Sequence, residues 1–157
     1  MAPKKKYQEL DDIEKLHKQW RKLSGLHTRE EWSAAIVRAA TAAEIAANFA
    51  IRHEFKTQSQ LDGAFVDSML RWANGLAGKL DRLLVPLTIH EASKKNTVKK
   101  LNTLAKTISD KRNAIVHQGE FCNEEEAKVI ISQTKEFITT LVRLYDQAFQ
   151  LKERKKS

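Results

Sequence analysis

Cysteine is nearly absent from this chain: Cys122 is the only one in 157 residues. A lone thiol closes no internal disulfide, and neither Cys nor His recurs at the spacing of a zinc site, so no metal and no other cofactor is expected. Long apolar runs are missing too. The stretch poorest in charge, Trp32 to Ile51, is interrupted by Arg38, Glu44 and Asn48 and is rich in alanine, which argues against a membrane span. No apolar leader follows Met1, because Lys4, Lys5 and Lys6 run into the charged stretch from Glu9 to Lys22. The expected compartment is therefore the cytoplasm, with no membrane partner. Internal repeats and low-complexity linkers are also lacking, and no segment alternates in the manner of a strand.

What is present is enough for one packed domain: 41% of the residues are apolar and 31% charged. Lys and Arg number 28 against 20 Asp and Glu, an excess of 28 − 20 = +8. Its placement carries more information than its size. A basic N-terminal tail, residues 1–6, and a basic C-terminal tail, residues 152–157, read as solvated ends around a single domain at 7–151. A third cluster, Lys94, Lys95, Lys99, Lys100, Lys106, Lys111 and Arg112 against the single acid Asp110, lies on a helix.

Apolar residues recur at helical spacing throughout, so the fold class is all-α. A first helix from Tyr7 to Leu23 carries Leu10, Ile13, Leu16, Trp20 and Leu23 on one stripe, looks peripheral, and stops at Ser24-Gly25. Thr28-Arg29-Glu30-Glu31 is a capping box for a second, alanine-rich helix reaching Phe55, the centre of a bundle. A third helix runs from Ser59 until Pro86 forbids its continuation, with Gly75 and Gly78 marking either a bend or a close crossing. A polar connection follows. The fourth helix then carries Val98, Leu101, Ala105, Ile108 and Ile115, and ends at Gly119. Asn123-Glu124-Glu125-Glu126 caps the last helix, whose apolar stripe extends to Leu151. Together these elements describe an up-and-down bundle of four core helices plus an N-terminal one.

The fourth helix breaks its own pattern at one point. Its apolar stripe calls for an apolar residue at 112, and Arg112 stands there. A guanidinium at the edge of a core must be paired or must reach a wet cleft. Asn113 and His117, four residues apart, share one face beside it. The three polar groups fall within about one and a half turns, at the end of a basic helix.

Arg112-Asn113-Ala114-Ile115-Val116-His117 resembles the R-x4-6-H motif of the HEPN superfamily (higher eukaryotes and prokaryotes nucleotide-binding), including an Asn directly after the Arg. The architecture of residues 28–150, with the motif late in a helical bundle and before its final helix, is similar as well. The resemblance implies a metal-independent endoribonuclease, a homodimer with two copies of the motif facing one cleft, and a setting in toxin–antitoxin, phage-defence or RNA-processing systems. An antitoxin or a nucleotidyltransferase is the kind of partner implied.

The residue types suit that chemistry. RNA carries its own nucleophile in the 2′-hydroxyl, so a nuclease need only move protons and stabilise the phosphorane. His117 is expected as general acid or base, Arg112 as the clamp on phosphoryl oxygens, and Asn113 as an orienting group. The products would be a 2′,3′-cyclic phosphate and a 5′-hydroxyl. Glu44, a lone acid on the alanine-rich helix, is a supporting candidate that could hold Arg112, or else an exposed residue beside Thr41 and Asn48. Lys99, Lys106 and Lys111 are candidates for tracking the RNA backbone. Two other readings stay open at this point: a HEPN-like binding or dimerisation module without catalysis, and a helical nucleic-acid-binding scaffold in which Arg112 is merely salt-bridged.

Overall fold

The computed structural model describes residues 3–28, 31–59, 61–73 and 75–152, apart from the side chains of residues 27 and 28. Among these residues the regular structure is helical throughout. After a 3-10 turn at Tyr7–Glu9, α1 spans Asp12–Thr28, α2 Trp32–Gln58 and α3 Gly63–Trp72. Helix α4 is continuous through Leu76–Gly78, a π-helical stretch Lys79–Leu84, and Val85–Leu87. Helix α5 covers Ala92–Gln118, and α6 covers Glu124–Arg143.

Helix α2 is the centre, with α1, α4, α5 and α6 all packed against it. Its alanines at 35, 39, 42, 43, 46, 47 and 50 are buried, and a side chain of one methyl lets neighbouring helices approach on several sides. By length and composition α2 is apolar enough to cross a bilayer, with a mean hydropathy of 1.4 in its most apolar window, contrary to the expectation that no segment approaches a span. In the fold 61% of that window is buried against protein.

Helix α1 starts later and runs further than its apolar stripe predicts. Asp11 caps it, its carboxylate accepting from the Glu14 amide at 2.8 Å, and the helix passes through Ser24-Gly25 to Thr28. It is not peripheral: Leu16 and Trp20 are among the most buried side chains. The predicted capping box fails in consequence, because Thr28 is the last residue of α1 and Glu31 holds the N-cap position of α2. Arg29 and Glu30 lie outside the described residues.

The predicted third helix is two helices. Gly75, at φ +80, turns the chain in a conformation that costs residues with a Cβ, while Gly78 is ordinary helix. A Cβ at either glycine would meet nothing within 4 Å, so the pair marks a bend rather than a close crossing. Pro86 stops α4 one residue late. The widened π-helical turns before it relieve the clash a proline ring makes in an α-helix, and Thr88 closes the end, its hydroxyl donating to the Leu84 carbonyl at 2.9 Å. The expected polar connection is instead the first turns of α5, where the Lys94 ammonium reaches buried Glu54 at 2.9 Å.

Helix α6 ends well before Leu151. The Asp146 side chain accepts from the Ala148 amide at 3.2 Å, Arg143 Nε donates to the Phe149 carbonyl at 3.0 Å, and Phe149 folds back onto His17 with ring centroids 5.5 Å apart. Burial pushes the His17 imidazole below its ordinary value, helped by Lys152 and Arg21. Of the two basic tails, Lys4, Lys5 and Lys6 are exposed, and Arg154, Lys155 and Lys156 lie outside the described residues.

Candidate functional site

Helix α5 behaves as its periodicity requires: Val98, Leu101, Ala105 and Ile108 are buried. About two turns further, Ile115 packs with Trp32 and Cys122 against a small second core of Ile36, Ala127 and Ile130. This satellite core lies under the α5–α6 connection and fixes the end of α5 that bears the motif. Gly119, at φ +67, provides the left-handed C-cap that releases the chain there.

Arg112 is half-buried where the stripe breaks, and Asn113 and His117 are exposed. The Arg112 Nη1 donates to Asn113 Oδ1 at 3.3 Å. Among the described residues no carboxylate pairs with Arg112, and His117 makes neither a hydrogen bond nor an ion pair. The fold therefore brings Arg112 and Asn113 together and leaves His117 apart. Helical geometry explains this, since residues five apart project about 140° from one another round the axis.

Helical geometry groups His117 with other residues instead. Positions 99, 106, 113 and 117 fall within about 40° of arc. Lys99, Lys106, Asn113 and His117 thus form one stripe, all four exposed, about 27 Å long at 1.5 Å per residue.

Two of the supporting candidates have other partners. Lys111 is not available to track RNA: its ammonium is 2.5 Å from Glu120 Oε1 and 2.5 Å from Glu126 Oε2. Those two carboxylates raise it above the ordinary lysine range. In return, Lys111 holds the Glu126 carboxyl below its ordinary value. Glu126 therefore does not complete the predicted capping box, although Asn123 does its part and accepts from the Glu126 amide at 2.9 Å. Glu44 does not hold Arg112 either. It pairs at 2.8 Å with Lys79, which is buried in α4, because its face of α2 turns towards α4 rather than α5. Beside Asn48, Arg52 and Asp67 it lines a polar cleft of about 450 Å³.

Sequence reasoning missed two features of this region. Ligand atoms of Glu120, Cys122 and Glu126 lie within 4.8 Å of one another, a set of metal-ligand types that a search for Cys and His spacing does not find. The Lys111 ammonium already bonds both carboxylates. Burial pushes the Cys122 thiol up, with Lys111 opposing. The second feature is apolar: Phe121, 92% exposed, stands in the α5–α6 connection, with exposed Val116 before it in sequence on α5 and exposed Val129 after it on α6. Its signal in the sequence was a large aromatic in a connection, outside any helical stripe.

Set against family models, curated proteins and solved structures, the chain matches none of them.

Proposed function

We propose that this protein is a metal-independent endoribonuclease of HEPN type, acting as a cytoplasmic homodimer of single-domain, up-and-down helical bundles spanning residues 7–151. The observation that carries the reading is Arg112. It occupies a core position, is half-buried, bonds Asn113, and among the described residues has no carboxylate partner. An unneutralised guanidinium held in that way is suited to a phosphate. The scaffold reading assumes a salt-bridged Arg112, whereas among the described residues no carboxylate pairs with it.

Each residue has one task in this mechanism. Lys99 and Lys106 draw the RNA backbone along the exposed stripe of α5. Arg112 grips a phosphoryl oxygen, more tightly as charge accumulates in the phosphorane, and Asn113 orients the guanidinium through their hydrogen bond. His117 takes the 2′-hydroxyl proton, and the second copy's imidazole protonates the leaving 5′-oxygen, yielding a 2′,3′-cyclic phosphate and a 5′-hydroxyl. A second copy supplies what one chain lacks, because Arg112 and His117 of a single helix face different ways. The exposed Val116, Phe121 and Val129 at this end of the molecule support an apolar contact between copies. An antitoxin or nucleotidyltransferase partner belongs to the same reading.

The test is incubation with mixed tRNA and a structured mRNA in excess EDTA, beside His117→Ala and Arg112→Ala. The wild type should cleave and leave cyclic-phosphate ends, and both variants should lose at least about a hundredfold in rate. Salt-dependent binding by all three proteins, with no cleavage by any, would transfer the assignment to a non-catalytic binding module.

A further inference from the structure

Helix α3 has two apolar stripes and only one of them is covered. Val66 and Leu70 are buried, whereas Phe65 and Trp72 on the neighbouring side are 51% and 84% exposed. With Met69 and with Leu83 of α4 they line a shallow groove of about 470 Å³ whose polar members include Ser68 and Arg82. Trp72 is the most exposed of the three tryptophans: Trp20 is buried and Trp32 only partly exposed. Leaving an indole in water forgoes a large apolar transfer term, and contiguous exposure of this kind marks interaction surfaces.

The surroundings of the groove are basic. Arg82 is part of its lining and Arg71 adjoins Trp72 in sequence. Among the described residues neither arginine forms an ion pair, and Arg71 donates to Ser68 Oγ at 3.3 Å. Asp81, the acid next to Arg82, is not part of the lining. The surface therefore combines a depression lined by aromatic and aliphatic side chains with Arg82 in its lining and Arg71 at its edge, where Arg71 also borders the polar cleft of Glu44 and Asp67, and Trp and Arg are the residue types that dominate interface energetics.

We propose that the α3–α4 groove docks an amphipathic helix of a partner protein whose apolar row is flanked by acidic residues. Apolar side chains at helical spacing fill the depression between Phe65, Trp72 and Leu83, and carboxylates beside them pair with Arg71 and Arg82. Charge decides against a symmetric contact of two copies through this groove, because it would set Arg71 and Arg82 against their own equivalents. The inference uses α3 and α4 only and does not depend on nuclease activity.

The experiment titrates full-length protein into three labelled helical peptides and reads anisotropy. One peptide has an apolar row flanked by Glu, the second has the same row flanked by Lys, and the third is a scramble of the first. The Glu peptide should bind at least about tenfold more tightly than either control. Trp72→Ala should weaken it by about tenfold or more, and Arg82→Glu should reverse the preference between Glu and Lys peptides. Unchanged melting temperatures would show that both variants, made at exposed positions, remain folded. Three results would overturn the proposal: equal binding of the scramble, a Trp72-dependent dimer in sedimentation velocity, or Trp72-dependent co-sedimentation with phosphatidylserine vesicles.

Discussion

The ammonium of Lys111 lies 2.5 Å from a carboxylate oxygen of Glu126, across the connection that joins the motif helix to the last helix. With Glu120 on its other side, Lys111 works as a clamp on that connection. Glu126 titrates below its ordinary value of 4.5 because Lys111 is present. Its contribution is therefore complete above the unfolded carboxyl value and is lost as pH falls through the lower folded one. Lys111 is shifted the other way, so its part persists below the ordinary lysine value of 10.5 and is lost only as pH rises through its own raised value. Lys111→Met should lower Tm by about 2–4 °C at neutral pH. The gap to wild type should close below pH 4.5, and RNA affinity should be unchanged; a scanning fluorimetry series across pH reads both limits.

Lys99 and Lys106 have the opposite profile. Both are exposed on the stripe that ends at His117, so substituting them should cost no stability. Each Lys→Gln change should weaken RNA binding and reduce the slope of log K against log salt by about 1. Affinities measured across a salt series decide the matter, and an unchanged slope removes both residues from the interface.

Glu54 is the most buried carboxylate among the described residues. It is 2% exposed on α2 and accepts from Lys94 at 2.9 Å, from the Tyr145 hydroxyl at 2.8 Å and from Gln58. Burial alone would push this carboxyl up, but its three donors take it below its ordinary value. Burial and the Glu54 carboxylate both push the Tyr145 hydroxyl up. Glu54→Ala should cost about 3 kcal/mol in urea unfolding, since it leaves the Tyr145 hydroxyl unanswered and Lys94 with Glu91 alone, 3.1 Å away. The native protein should also lose the Glu54 contribution as pH falls through the folded carboxyl value, whereas the variant should not.

Ala46 tests how closely the helices approach. It is fully buried on the central helix, so Ala46→Leu should destabilise by about 1–3 kcal/mol through overpacking. An equal or higher urea midpoint would mean the neighbouring helices stand further off than described.

The stripes of α2 and α5 were readable in advance because burial on a helix repeats with the helical period. Val98, Leu101, Ala105 and Ile108 are the clearest case, and Arg112 stood out against them. Ends were less legible. Ser24-Gly25 stays helical because Leu23 on one side is buried and tertiary packing outweighs a weak stop signal. Leu151 was assigned to the last helix because its spacing fits, but the Asp146 turn and the Arg143 bond to the Phe149 carbonyl redirect the chain first. Lys111 and Glu44 were assigned to the site from type and position alone. Their partners, Glu120, Glu126 and Lys79, come from other elements, and one-dimensional spacing carries no record of them.

By itself, then, the sequence determined that this chain is helical, that an alanine-rich helix forms its centre, and that an arginine interrupts a core stripe shortly before a glycine C-cap. These are local matters, governed by side-chain size, periodicity and backbone preference. Only the tertiary structure decided which charges are neutralised. Lys111, Lys79 and Lys94 are taken up by carboxylates of other elements, while among the described residues Arg112 and Arg82 have no ion-pair partner. Electrostatic partnership depends on distance in space, and the packing of α2, α4, α5 and α6 sets those distances.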